Sequence, residues 1–216
     1  MKPIMFNTEM VRAILDGRKT VTRRLIKEKT EYPLACRAVY NPVGLMTASG
    51  IMRPKYEIGD ILYVREAWCK GSLDYGEERY YYKADRKIPH CKWCPSIHMP
   101  KEAARIFLRV TDVRVERLQN IITGDCQTPI NINKEGLISS CCFCTHHNGD
   151  CKDYISQHSP KTLTCKLLED FTLLWNSTIK KSDLAQYGWD ANPWVWVIEF
   201  ESISKEEAYG NQQTTA

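Results

Sequence analysis

Apolar positions along the 216-residue chain alternate between a period of two and a period near 3.6. Residues 1–6, MKPIMF, predict a short strand. TEMVRAILDG follows as a helix, with Met10, Val11, Ile14 and Leu15 on one face, Asn7 or Thr8 as the capping oxygen and Gly17 as the left-handed stop. RKTVTRR returns to strand periodicity, placing Lys19, Val21 and Arg23 on one face and Thr20, Thr22 and Arg24 on the other. Residues 30–56 carry no clean period and contain Pro33, Pro42, Gly44, Gly50 and Pro54, which predicts loops or a short irregular hairpin.

A turn over Glu57–Asp60 with Gly59 leads into ILYVREAW, with Ile61, Tyr63 and Arg65 opposite Leu62, Val64 and Glu66. YYYKA, residues 80–84, is its expected partner. Residues 105–118, RIFLRVTDVRVERL, give the strongest strand signal. Their apolar set moves from even positions (Ile106, Leu108, Val110) to odd ones (Val113, Val115), and this slip near Asp112 predicts a bulge or bend of the kind a small barrel uses. KLLEDFTLLWNSTI, residues 166–179, is helical, with Leu167, Leu168, Phe171, Leu174 and Trp175 on its apolar face, and PWVWVIEFESI is a closing strand. The last residues, 205–216, have little to bury and read as a flexible tail.

One early helix, one late helix and several strands without a regular β-α-β rhythm predict an α+β fold: a small β-barrel with flanking helices. The chain reads as a single domain over residues 1–204. No glycine-rich phosphate loop is present, which excludes nucleotide-triphosphate and dinucleotide classes. Neither a signal peptide nor a stretch of some 18 apolar residues occurs, so the expected location is cytoplasmic, without membrane contact.

Charge and cysteine change this picture only locally. The whole chain carries a net +4, and residues 16–29 alone hold six bases (Arg18, Lys19, Arg23, Arg24, Lys27, Lys29) against Asp16 and Glu28, a local excess of the same size. Most such segments are solvated strand edges. A lysine near a threonine hydroxyl also has the chemistry of a base and nucleophile, and the surrounding arginines suit an anion. Six of the ten cysteines fall within 119–165, a polar stretch that reads as a cysteine-rich insertion. Cys141 and Cys144 have the spacing of a zinc knuckle, and Cys151 and Cys165 complete a four-thiolate set for a structural zinc. Cys91 and Cys94 form a second such pair that offers an alternative pairing with Cys141 and Cys144. In a reducing compartment metal ligation or free thiols are expected rather than disulfides.

The strings NTEMVRAILDGRKTVTRR, EIGDILYVREAW, RIFLRVTDVRVERL and PWVWVIEF together resemble the ASCH family of the PUA-like β-barrel superfamily. The likeness is greatest to phage- and prophage-associated members, which carry versions of KWxPSIHMP, present here as Lys92, Trp93 and Pro95 to Pro100. The family string G-x-K-x-x-[E/T]-x-R reads Gly17, Lys19, Thr22, Arg24. The resemblance implies binding of RNA or a modified nucleoside in a cleft beside the first helix, with Arg18, Arg23, Arg24, Trp68 and His98 as candidate contacts. Members with threonine at the sixth position look like small amidohydrolases acting on acetylated cytidine. That likeness implies Lys19 as base, Thr22 as nucleophile and Glu135 as the assisting acid, making hydrolase activity the alternative function. Ribonuclease activity is a third possibility within the family, without a histidine acid-base pair to support it.

Overall fold

The computed structural model describes residues 1–27, 39–41, 44–47, 50–71, 78–85, 91–121, 134–137 and 166–210. In chain order the elements are β1 (Lys2–Met5), α1 (Thr8–Leu15), β2 (Val21–Leu25), β3 (Val39–Asn41), β4 (Gly44–Thr47), β5 (Gly50–Met52), β6 (Ile61–Arg65), β7 (Trp68–Gly71), β8 (Arg79–Tyr82), β9 (Phe107–Arg117), α2 (Lys166–Thr178), α3 (Leu184–Tyr187), β10 (Trp194–Ile203) and α4 (Lys205–Gly210). Short 3-10 turns lie at Ser96–His98, Lys101–Ala103, Leu118–Ile121 and Lys181–Asp183. The fold is mixed α+β. Its strands form a five-stranded sheet in the order β1-β6-β9-β10-β2, a three-stranded sheet β3-β4-β5 and a two-stranded ribbon β7-β8, and no sheet closes into a barrel among the described residues. No helix among them is long and apolar enough to cross a membrane.

The chain divides into two compact units, each discontinuous in sequence. The first comprises residues 1–20, 55–113 and 198–216. Here β1 runs parallel to β6, pairing Ile4 with Val64, and β6 runs antiparallel to β9, pairing Leu62 with Leu108. The alternation read from the sequence holds: Leu62, Val64, Leu108 and Val110 are buried to 1% exposure or less. A separate cluster of Met99, Ala103, Ala104, Phe107 and Ala208 carries Tyr63, Trp68, Tyr80 and Tyr82 packed on it. Ala208 belongs to α4, so residues 205–210 are not the loose tail expected of them. Tyr209 meets Phe107 edge to face, and Arg109 pairs with both Glu201 and Glu207, which together dock the helix.

The second unit comprises residues 21–54 and 114–197. Val21, Leu118, Ile121, Phe171, Trp175, Val195 and Val197 form its core, with Leu168 partly buried against them and Leu174 half-buried on α2. Leu118 and Ile121 are fully buried, so the start of the presumed insertion at 119 belongs to the core instead. Where loops or an irregular hairpin were expected within 30–56, β3, β4 and β5 form an antiparallel meander.

Strand β9 is continuous across Asp112, and the unit boundary falls at Val113–Arg114. The parity slip in its apolar positions coincides with a loss of burial: Leu108 and Val110 are buried in the first unit, while Val113 and Val115, at and beyond the boundary, are half-buried.

Candidate functional site

The GRKTVTRR segment owes its conformation to the end of α1. Asn7, rather than Thr8, caps the helix by accepting from Met10 N at 2.8 Å. At the other end Gly17 adopts φ +71°, and the chain turns back so that the Ala13 carbonyl accepts from both Arg18 N (2.9 Å) and Lys19 N (3.0 Å). This reversal carries Lys19 inward. Its side chain is buried, with Nζ 5.8 Å from the centroid of the Phe6 ring, within cation–π range. Arg18 stays at the surface and pairs with Asp16.

Strand β2 then buries Val21, Thr22 and Arg23 in succession, so both of its faces are covered, while Arg24 is half-buried. Among the described residues five polar or charged side chains are buried: Lys19, Thr22, Arg23, Glu66 and Glu135. Three come from one five-residue stretch. A solvated basic strand edge, the commonest reading of such a composition, is excluded by these values.

Glu135 lies on a turn at Lys134–Gly136, with Gly136 at φ +84°. Val21 N donates to the Lys134 carbonyl at 3.2 Å, which fixes this turn against β2. Arg23 Nη1 donates to Glu135 Oε1 at 2.5 Å, and its Nη2 lies 4.0 Å from Glu116 Oε2. Glu116 in turn accepts from Arg114 Nε at 2.5 Å. Of the residues named from sequence, the structure thus brings Arg23 and Glu135 together. Because successive strand side chains alternate, Thr22 projects to the face of β2 opposite Arg23. Glu116 and Arg114 were not singled out, since alternation alone makes them ordinary outward residues of a half-exposed strand.

The remaining candidates lie in the first unit. Trp68 opens β7, packs edge to face on Tyr80 at 5.6 Å and pairs by backbone with Cys94. His98 is exposed at the end of a 3-10 turn that Arg65 holds by donating to the carbonyls of Ile97 (2.5 Å) and Met99 (2.9 Å). Two buried side-chain nitrogens among the described residues have no hydrogen-bond partner, Arg23 Nε and Trp68 Nε1.

A second buried charge group was missed. Glu66 is 1% exposed and receives Arg105 bidentately, Nε to Oε1 at 2.9 Å and Nη2 to Oε2 at 3.1 Å. Arg105 also donates to Asp85 at 2.8 Å and stacks 3.9 Å over the Tyr82 ring. Desolvation raises the Glu66 carboxyl above its ordinary value, and the two hydrogen bonds from Arg105 offset only part of that rise. The signal was present in the sequence, because Glu66 continues the apolar column of Leu62 and Val64.

Cys141, Cys144, Cys151 and Cys165 lie outside the described residues. Cys69 and Cys91 form a disulfide, which corrects the expectation of reduced thiols at these two positions and removes Cys91 from the alternative zinc set. The cause is local: Trp68 and Cys94 bond backbone to backbone in both directions, holding the 91–94 segment alongside β7. Cys94 keeps its thiol, and no group of three or more His, Cys, Asp or Glu is arranged for a metal among the described residues. No family model, curated protein or solved structure matches the chain.

Proposed function

We propose that the chain is an ASCH-type, PUA-like domain that binds RNA or a modified nucleoside through the Gly17–Arg24 segment. The observation that carries this reading is the burial of Lys19, Thr22 and Arg23 in one short stretch. Burying charged and hydroxyl groups costs free energy unless each is specifically partnered. Concentrating that cost at the segment that bears the family string supports a binding role over a merely solubilising one. Arg18, and Arg24 at partial exposure, supply the contacts suited to phosphate, and the resemblance adds Trp68 and His98 as contacts for a base or sugar.

Fluorescence anisotropy with short single-stranded RNAs, and calorimetry with a panel of unmodified and acetylated nucleosides, test it. Binding that weakens at least tenfold in Lys19→Ala, and for RNA falls steeply with salt, is the expected result. Wild-type protein that binds no RNA and no nucleoside refutes the proposal.

The burial of Lys19, Thr22 and Glu135 together favours amidohydrolysis as a second reading. In it Lys19 takes the proton of the Thr22 hydroxyl, Thr22 Oγ1 attacks the amide carbonyl, and the proton passes to the leaving amine; water then releases the acyl group. The resemblance gives Glu135 the supporting part in this reading, orienting Lys19 or passing the proton to the leaving amine. Turnover of acetylated cytidine that survives Thr22→Ala, or absence of turnover in the wild type, refutes this second reading. In either case the cysteine-rich segment enters only as support for folding, with Cys141, Cys144, Cys151 and Cys165 as ligands of a structural zinc. Metal analysis of the purified protein checks that assignment, and zinc content unchanged in Cys144→Ser overturns it.

A further inference from the structure

We propose that Arg23 is a positioning residue whose guanidinium fixes the Glu135 carboxylate. The inference rests on the reading that the Gly17–Arg24 segment and Glu135 belong to a nucleoside site. From sequence, Arg23 is one more cation for phosphate. Its side chain is 2% exposed and its Nη1 is committed to Glu135, so it has no surface to offer a polyanion.

Glu135 needs such a partner. It arrives 112 residues later in the chain, on a three-residue turn, and its carboxylate is 5% exposed. A buried carboxylate is costly unless a cation is held against it, and the pairing also fixes its orientation. Arg23 is itself held, because it sits inside β2 and its second nitrogen leans toward Glu116, which Arg114 fixes from the other side. Glu135, Arg23, Glu116 and Arg114 thus form a line of alternating charge running from the turn through β2 to β9. The geometry of Glu135 is set by the sheet, not by the turn that carries it.

The experiment compares wild type with Arg23→Met, Arg23→Lys, Glu135→Gln and the Arg23→Met/Glu135→Gln double variant. Acetylated cytidine is the probe, with kcat and KM taken across pH where turnover occurs and Kd where only binding does. Where turnover occurs, Arg23→Met lowers kcat ten- to a hundredfold with KM changed less than threefold, Glu135→Gln does the same, the double is no worse than the poorer single, and Arg23→Lys recovers at least part of the loss. Where only binding occurs, the same pattern appears in Kd. Losses that multiply in the double variant overturn the proposal. So does an Arg23→Met effect confined to KM or Kd with Glu135→Gln unchanged, which would make Arg23 a direct ligand contact through its unpartnered Nε.

If the wild type neither binds nor hydrolyses the probe, the site reading fails, and positioning is judged on its own. The same four proteins then give a double-mutant cycle on the unfolding equilibrium. Coupling of tenfold or more between Arg23 and Glu135 upholds the ion pair as the holder of Glu135, and additive effects overturn it.

Discussion

Replacing Arg105 by methionine removes three hydrogen bonds and one ring contact at once. The Asp85 pair is half in solvent and contributes less than about 1 kcal/mol. Stacking on Tyr82 adds about 0.5–1 kcal/mol. The dominant loss is at Glu66, whose carboxylate is 1% exposed and would be left without its cation, a change that typically costs about 3–5 kcal/mol. Arg105 is 27% exposed, so water can reach part of the vacated space and the whole substitution should cost about 3–4 kcal/mol. Equilibrium unfolding in urea reads this as a midpoint lowered by about 1–2 M. The loss should shrink in acid, because Glu66 escapes by taking a proton. The double variant Glu66→Gln/Arg105→Met should regain more than half of the stability, since no buried charge then remains. A single-variant cost below about 1 kcal/mol, or a double variant less stable than Arg105→Met, refutes the reasoning.

Glu66→Gln alone tests the pH dependence. A carboxyl raised in the folded state binds its proton more tightly there than in the unfolded chain, so its ionisation destabilises the fold as pH rises above about 4.5, and the variant should flatten that slope in urea midpoints taken between pH 4 and 7. Asn7→Ala deletes the cap of α1 and should cost about 1 kcal/mol by thermal unfolding, with no measurable change contradicting the cap. Gly17→Ala meets open space and suffers only from φ +71°, for about 1 kcal/mol; a neutral result means the turn adapts. Cys69→Ala should lose about 3 kcal/mol in oxidised protein, from a bridge spanning 22 residues, and match wild type in a thiol reductant. Titration of all ten thiols in unreduced, denatured wild type rules the bridge out.

Periodicity located the strands of the first unit well because each buries one face: Leu62, Val64, Leu108 and Val110 sit where alternation put them. It failed at β3 to β5, where prolines and glycines punctuate a meander of three- and four-residue strands too short to display a period. The tail was misjudged for a different reason. α4 buries one small residue, Ala208, and is secured through Glu207 by Arg109, 98 residues away, which no local window can contain. At the candidate site the composition of GRKTVTRR was legible and its burial was not. Burial there comes from the helix reversal at Gly17 and from Glu135, a partner 112 residues distant. Glu66 was the lost opportunity, a charge in an apolar column that period-two reading had already exposed.

The interleaving of the two units along the chain also constrains when they can form. The first unit needs residues 2–5 beside 62–65, and Arg109 beside Glu201 and Glu207; the second gathers Val21 with Val195 and Val197. The second is complete only once residue 197 has been made, and the first only after the residues that follow it. The contiguous stretch 21–197 contains every residue of the second unit, whereas the first needs 1–20 together with residues after 197, so truncation after residue 197 should abolish the first and spare the residues of the second. Until β10 is made the early strands wait with part of their apolar surface uncovered, an interval that favours aggregation.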